Sequence, residues 1–122
     1  SGPAMTQDKF IGELEQMLLL CVMQLKEDAY GSQIRSFLAD KAQRDLSIGA
    51  LYTTLERLEQ KGLLIGRLGE ATAERGGRAK KYYSVTGEGR QALFRSKAAL
   101  EQLWQGLALH QAPQFVRGGF TR

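Results

Sequence analysis

The spacing of apolar residues changes abruptly at Gly62, and no other feature limits the possible folds as sharply. Before it, in "SIGALYTTLERLEQKGLL" (Ser47 to Leu64), Ile48, Leu51, Tyr52, Leu55 and Leu58 recur at helical intervals and face one way. After it, "LLIGRL" (Leu63 to Leu68) and "KYYSVT" (Lys81 to Thr86) read as two antiparallel strands, with Tyr83 and Val85 on one face. Ser47 is placed to cap the helix start, and Gly62 is a natural residue to end it. Two strands alone are marginal in water, so the hairpin must pack on helices. Its loop, "GEATAERGGRAK", is polar and punctuated by Gly76-Gly77.

Three more helices are expected. The first spans roughly Asp8 to Lys26, with a stripe of Phe10, Ile11, Leu14, Met17, Leu18, Cys21, Val22 and Leu25. Leu19, Leu20 and Met23 fall outside that stripe, so its middle is apolar nearly all round. Burial on two sides is more than a 122-residue chain readily supplies, which points to a partner subunit. The second helix spans roughly Tyr30 to Lys41, with Tyr30, Ile34, Phe37 and Leu38 inward and Asp28 or Ser32 helping at its start. "AQRDL" turns the chain into the Ser47 helix. The last spans roughly Gly87 to His110, capped by Thr86 and stopped by Pro113. Leu93, Leu100, Leu103, Trp104 and Leu107 share one arc of it, with nothing of the chain's own to cover them.

Helix, helix, helix, hairpin, helix is the order of a winged helix-turn-helix. The expected fold is mainly α: three helices and a two-stranded β-wing over residues 8–86, then a dimerisation helix over 87–110. Residues 111–122 form a tail without period, and "SGPA" at positions 1–4 reads as a protease-cleavage scar.

Charge narrows the partner. Five basic residues and one acid lie between Arg75 and Arg90, so that segment alone carries the chain's formal charge of +4. A concentrated basic segment suits a polyanion. The longest apolar run, "MLLLCVM", is far too short to span a bilayer, and the acids Asp8, Glu13 and Glu15 before it do not form a signal peptide. A single cysteine, Cys21, permits no intrachain disulfide and fits a reducing cytoplasm.

The outward face of the Ser47 helix begins with small residues: Gly49, Ala50, Thr53 and Thr54, with Arg57 two turns on. A major groove admits a helix when the side chains near its floor are short. The same end carries free N–H groups that favour phosphate, and Arg57 has the reach for a guanine edge or the backbone. The plainer reading is an ordinary solvated face. Arg75, Arg78, Lys80 and Lys81 on the wing suit phosphate contact, and a solvated hairpin tip is the alternative. Tyr30 and Tyr52 stand at the core edge, where packing and phosphate contact are both open.

Three stretches together resemble the PadR family of bacterial transcriptional regulators. They are Tyr30-Gly31, "GALYTTLERLEQKGLL" from Gly49, and "GGRAKKYYSVTGEGRQAL" from Gly76. The resemblance covers about Leu18 to Leu93. It includes a Gly-x-x-Tyr-x-x-Leu helix signature at Gly49 and a Tyr-x-apolar-Thr-x-x-Gly join from Tyr83 to Gly89. One helix follows the wing, as in the short subfamily. Ile48 departs from the proline that many members carry there, which gives up some pre-organisation of the helix start. The resemblance implies a homodimeric repressor that binds double-stranded DNA, with the last helices packed across the interface. Leu18, Leu19, Leu93, Leu100, Leu103, Trp104 and Leu107 would form that interface. Some members bind flat aromatic compounds between interface tryptophans, a position Trp104 matches; filling the dimer core is its plainer role.

Other chemistry finds little support. Cys21 on an apolar face suits packing better than redox sensing. His110 has no ligand-type neighbours at metal spacing, and no nucleophile-base pair or phosphate loop is visible, so neither a metal, a cofactor nor catalysis is expected. The rival function is a winged helix that meets an acidic protein partner and does not bind DNA.

Overall fold

The computed structural model describes residues 10–69 and 79–107. Four helices and one hairpin follow in order: α1 Glu13–Leu25, α2 Gly31–Ala42, α3 Ile48–Gln60, β1 Leu64–Leu68, β2 Lys81–Val85 and α4 Gly87–Trp104. A single 3-10 turn, Lys26–Asp28, links α1 to α2. This is the expected mainly helical, winged helix-turn-helix order.

α1 is the central element and packs on α2, α3, β2 and α4. It starts at Glu13, later than Asp8, because Gly12 is extended and the Glu15 carboxylate folds back to accept the Gly12 N–H at 3.0 Å. Asp8 lies outside the described residues. Phe10 is exposed ahead of the helix instead of in its stripe, while Ile11 packs from an extended segment. Leu18, Leu19, Cys21 and Val22 are all buried within the chain. Leu18 and Leu19 are therefore enclosed by the chain's own elements and present nothing to a partner, contrary to expectation. The free apolar side of α1 is Leu20 and Met23.

α2 ends at Gln43, which turns left-handed at φ 51°. Arg35 Nε donates to the Leu46 carbonyl at 2.6 Å and so fixes the turn into α3. α2 begins without a side-chain cap: Tyr30 holds the N-cap position, and neither Asp28 nor Ser32 caps it. Tyr30 instead forms a β-bridge to Tyr82, and the Tyr83 N–H donates to the Ala29 carbonyl at 2.9 Å. The chain before α2 thus behaves as a one-residue third strand along β2, a pairing absent from the sequence reading.

The junction between α3, the hairpin and α4 is built from backbone. Lys61 caps α3, Gly62 adopts φ 79°, and the Leu63 N–H returns to the Leu58 carbonyl at 3.0 Å. That is a Schellman ending, which a glycine serves without strain. β1 and β2 pair antiparallel, with Leu64 opposite Val85 and Gly66 opposite Tyr83. Tyr83 and Val85 are buried, as the alternation predicts. Thr86 Oγ1 accepts from the Gly89 N–H at 3.0 Å, capping α4, and donates to the Gly62 carbonyl at 2.7 Å. A side chain at Gly89 would meet the Leu63 carbonyl, so only a glycine lets α4 approach this closely.

α4 buries only its first turns. Gly89, Ala92 and Leu93 are covered by the chain's own core, so Leu93 belongs there before any interface. The helix stops at Trp104, short of His110, as Gln105 becomes extended and Gly106 turns to φ 84°. His110, Pro113 and the tail lie outside the described residues.

Candidate nucleic-acid interface

α3 rotates differently from the simple wheel. Its inward stripe is Leu51, Thr54, Leu55 and Leu58. Thr54 is 3% exposed, and its hydroxyl donates to the Ala50 carbonyl of the same helix at 2.8 Å. An internal bond of that kind lets a threonine sit in a core without an unpaired polar group. Thr54 is thus a packing residue and leaves the outward set. Ile48 and Tyr52, expected inward, are exposed, Tyr52 at 45%.

Between the exposed side chains of Ile48 and Tyr52, the remaining outward positions of the first two turns are small. Ser47, Gly49 and Thr53 are exposed and Ala50 half-buried, with nothing within 4 Å of a side chain built at Gly49. Ser47 Oγ accepts from the Ala50 N–H at 3.1 Å, which makes it the cap the sequence indicated. That bond engages the Ser47 hydroxyl in the helix itself. Arg57 follows on the same side, about half exposed.

Beside this face lies an open cleft of about 550 Å³. Tyr30, Gly31, Ser32, Tyr52, Ala79, Lys80 and Lys81 border it. A Cβ at Gly31 would overlap the Tyr52 ring, so the Tyr30-Gly31 pair exists to let Tyr52 lie across the start of α2. The floor of the cleft is therefore a helix N-terminus flanked by two tyrosines. Lys80 Nζ stands 3.7 Å from the centre of the Tyr30 ring, a cation-π contact. Tyr30 also meets Tyr82 edge-on at 5.4 Å. The aromatic pair fixes where the wing's base, and with it Lys80, sits.

Lys81 borders the same cleft as Lys80, but its charge is shared with an acid. Its Nζ pairs with Glu59 of α3 at 3.0 Å. Arg75 and Arg78 lie outside the described residues. The two adjacent lysines thus share one cleft while their ammonium groups have different partners, the Tyr30 ring and Glu59.

Glu15 joins the candidates only in the folded structure. It is buried on α1 and pairs with Lys61 at 3.0 Å and with Arg57 at 3.8 Å. Its only sequence signal was its place in the first turn of a helix, where acids are common.

At the far end of the molecule Leu100, Leu103, Trp104 and Leu107 are all exposed, Leu103 at 74%. A second open cleft, of about 560 Å³, is bordered by Glu101, Trp104, Gln105 and Gly106. Burial raises the pKa of the Cys21 thiol, which disfavours the reactive thiolate. Among the described residues no helix is long and apolar enough to cross a membrane, and no three His, Cys, Asp or Glu side chains gather as metal ligands.

Comparison with known proteins agrees with this arrangement. A PadR-like transcription factor from Bacteroides fragilis has a solved structure that is 34% identical, with a TM-score of 0.58 over 73% of this chain and 84% of that one. A PadR family transcriptional regulator from Eggerthella lenta is 31% identical, with a TM-score of 0.60 over 77% and 81%. Among curated proteins, transcriptional regulator Rv3488 of Mycobacterium tuberculosis is 43% identical over 58 residues. That match spans 48% of this chain and 50% of the relative. The model of the PadR-like family of transcriptional regulators matches residues 19–95, and the chain belongs to that family.

Proposed function

We propose that this chain is a sequence-specific, double-stranded-DNA-binding regulator that acts as a homodimer, in the sense of a repressor. The observation that carries the reading is the bare outward face of α3 beside a cationic, tyrosine-lined cleft. Gly49, Ala50 and Thr53 leave room for base edges near the groove floor, and Arg57 supplies a long donor further along. Ser47, its hydroxyl already capping α3, contributes through the helix N-terminus it holds. The cleft would take a backbone phosphate between the start of α2, the Tyr30 and Tyr52 hydroxyls and Lys80. Lys81 contributes less than Lys80, since Glu59 offsets its charge. Arg75 and Arg78 would follow the flanking backbone.

Dimerisation is supported by the second half of α4 and by Leu20 and Met23 on α1, apolar surfaces that this chain leaves uncovered. A dimer would place two α3 helices in successive major grooves, about 34 Å apart, on a pseudo-palindromic site. A planar aromatic effector would enter beside Trp104 and act by favouring one spacing of the two reading helices. Quenching of Trp104 fluorescence tests that part: planar aromatics should quench it, and a Trp104→Ala protein should lose inducer-dependent release of DNA.

The DNA reading is tested by binding the chain to the DNA upstream of its own gene at two salt concentrations. The expected result is a shifted complex with steep salt dependence. Failure to bind any duplex at low salt would favour a protein-interaction module.

A further inference from the structure

The reading face and the core meet at one carboxylate. Glu15 is the only charged side chain buried among the described residues, at 7% exposure. It stands in the first turn of α1 and faces two cations of the α3 end, Arg57 and Lys61, one helical turn apart. Its Oε1 accepts from the Gly12 N–H and from Lys61 Nζ, each at 3.0 Å. Its Oε2 accepts from Lys61 Nζ at 3.0 Å and lies 3.8 Å from Arg57 Nη1. Lys61 Nζ also donates to the Phe10 carbonyl at 3.2 Å.

Lys61 straddles both oxygens of Glu15, and the Gly12 N–H adds a third hydrogen bond. The carboxylate therefore does not need Arg57 for its own burial. Arg57 nevertheless rests one edge of its guanidinium near it and keeps about half its side chain in solvent. Arg57 also continues the Gly49–Thr53 line of α3, each residue four beyond the last, and so ends the bare face.

We propose that Glu15 is a positioning residue for DNA recognition: its buried carboxylate holds one edge of the Arg57 guanidinium, so that the opposite edge is presented to the groove. This rests on the reading of α3 as the groove helix. The physical basis is pre-organisation. A free arginine gives up rotamer freedom when it is fixed. A carboxylate anchored by Lys61 and the Gly12 N–H does not follow the arginine, so it can hold it before DNA arrives. A guanidinium has five donors in one plane, and a charge contact through Nη1 at 3.8 Å leaves a pair of them for the O6 and N7 of a guanine.

The test is a double-mutant cycle of Glu15→Gln and Arg57→Ala, read by fluorescence anisotropy on a selected site and on an unrelated duplex of equal length. Glutamine keeps the size and an acceptor for Lys61 and Gly12 but removes the charge that holds Arg57. We expect Glu15→Gln to weaken binding to the selected site about five- to tenfold and binding to the unrelated duplex less than about twofold. In the Arg57→Ala background the same change should do nothing further. Thermal melts of each variant keep destabilisation apart, with assays run well below the lowest midpoint. A loss that is equal on both duplexes, or that persists without Arg57, makes Glu15 purely structural and overturns the proposal. Tighter binding by Glu15→Gln also overturns it, because Glu15 would then compete for Arg57. If Arg57→Ala leaves the selected-site affinity unchanged while Ala50→Glu destroys it, this proposal falls and the reading of α3 stands. A native protein that binds no duplex overturns both.

Discussion

Two exposed helical surfaces of this molecule differ in kind. On the first turns of α3 a strip of small residues, Gly49, Ala50 and Thr53, runs beside the exposed Ile48 and Tyr52. On the second half of α4 they include Leu100, Leu103, Trp104 and Leu107. Both surfaces face water, but the continuous apolar one, on α4, gains more from being covered by protein. Burying a leucine side chain contributes about 1.5–3 kcal/mol, whereas a glycine or alanine surface gains little and instead admits a close approach. On the proposed reading, the α3 surface suits a partner whose own edges come near the backbone, and the α4 surface suits a second copy of an apolar helix. The backbone-built junction at Gly62, Thr86 and Gly89 stands between them.

The comparison breaks first at α3. Ala50→Glu places bulk and negative charge where a groove floor would be. Duplex binding should fall by at least about a hundredfold, while the dimer seen by light scattering is unchanged. Loss of both binding and dimerisation would mean that the two surfaces are not separate. The reciprocal variant is Leu103→Glu on α4. It should yield a monomer by sedimentation and weaken binding to a two-half-site duplex by about a hundredfold through lost avidity, with binding to a single half-site retained.

The junction gives smaller effects. Gly89→Ala drives a methyl at the Leu63 carbonyl, and its expected cost is about 2–3 kcal/mol, read as a lower denaturation midpoint. The hairpin's buried Tyr83 supplies a pH test. Burial, followed by the charges of Glu59, Tyr52 and Glu56, pushes its pKa up to about 12 from 10.0. A raised tyrosine pKa means that the folded state holds its proton while the unfolded state loses it. Stability is fully present below about pH 10 and falls by about 2 kcal/mol as pH rises from 10 towards 12. Tyr83→Phe should remove most of that fall in a pH series of chemical denaturation. The smallest effect is Thr86→Ala, which removes the α4 cap and the bond to Gly62 and should cost about 1 kcal/mol.

The legible parts of this fold were those set by local pattern. Ser47 and Thr86 as caps, Gly62 as a helix end, and the inward pair Tyr83 and Val85 were all readable, because each depends on chemistry within a few residues. The misplaced residues depend on what lies across the chain. Thr54 looked outward because threonine is polar, yet its hydroxyl closes on its own helix and its methyl packs inward. Tyr52 looked inward because tyrosine is large, yet Gly31 opens a place for it over α2. Leu19 lay off the main stripe of α1, but that helix is surrounded by its own chain on more sides than one stripe serves. The partners of Glu15 and Lys81 lie on other elements, 46 and 22 residues away, where no spacing rule reaches.

The central claim is that α3 reads a major groove in two places. Methylation interference on a site selected from random DNA tests it most directly, since methylation of guanine N7 blocks the major-groove edge. The expected result is two clusters of interference about one helical turn apart, both abolishing binding. Equal binding of methylated and unmethylated guanines throughout the site would contradict the account.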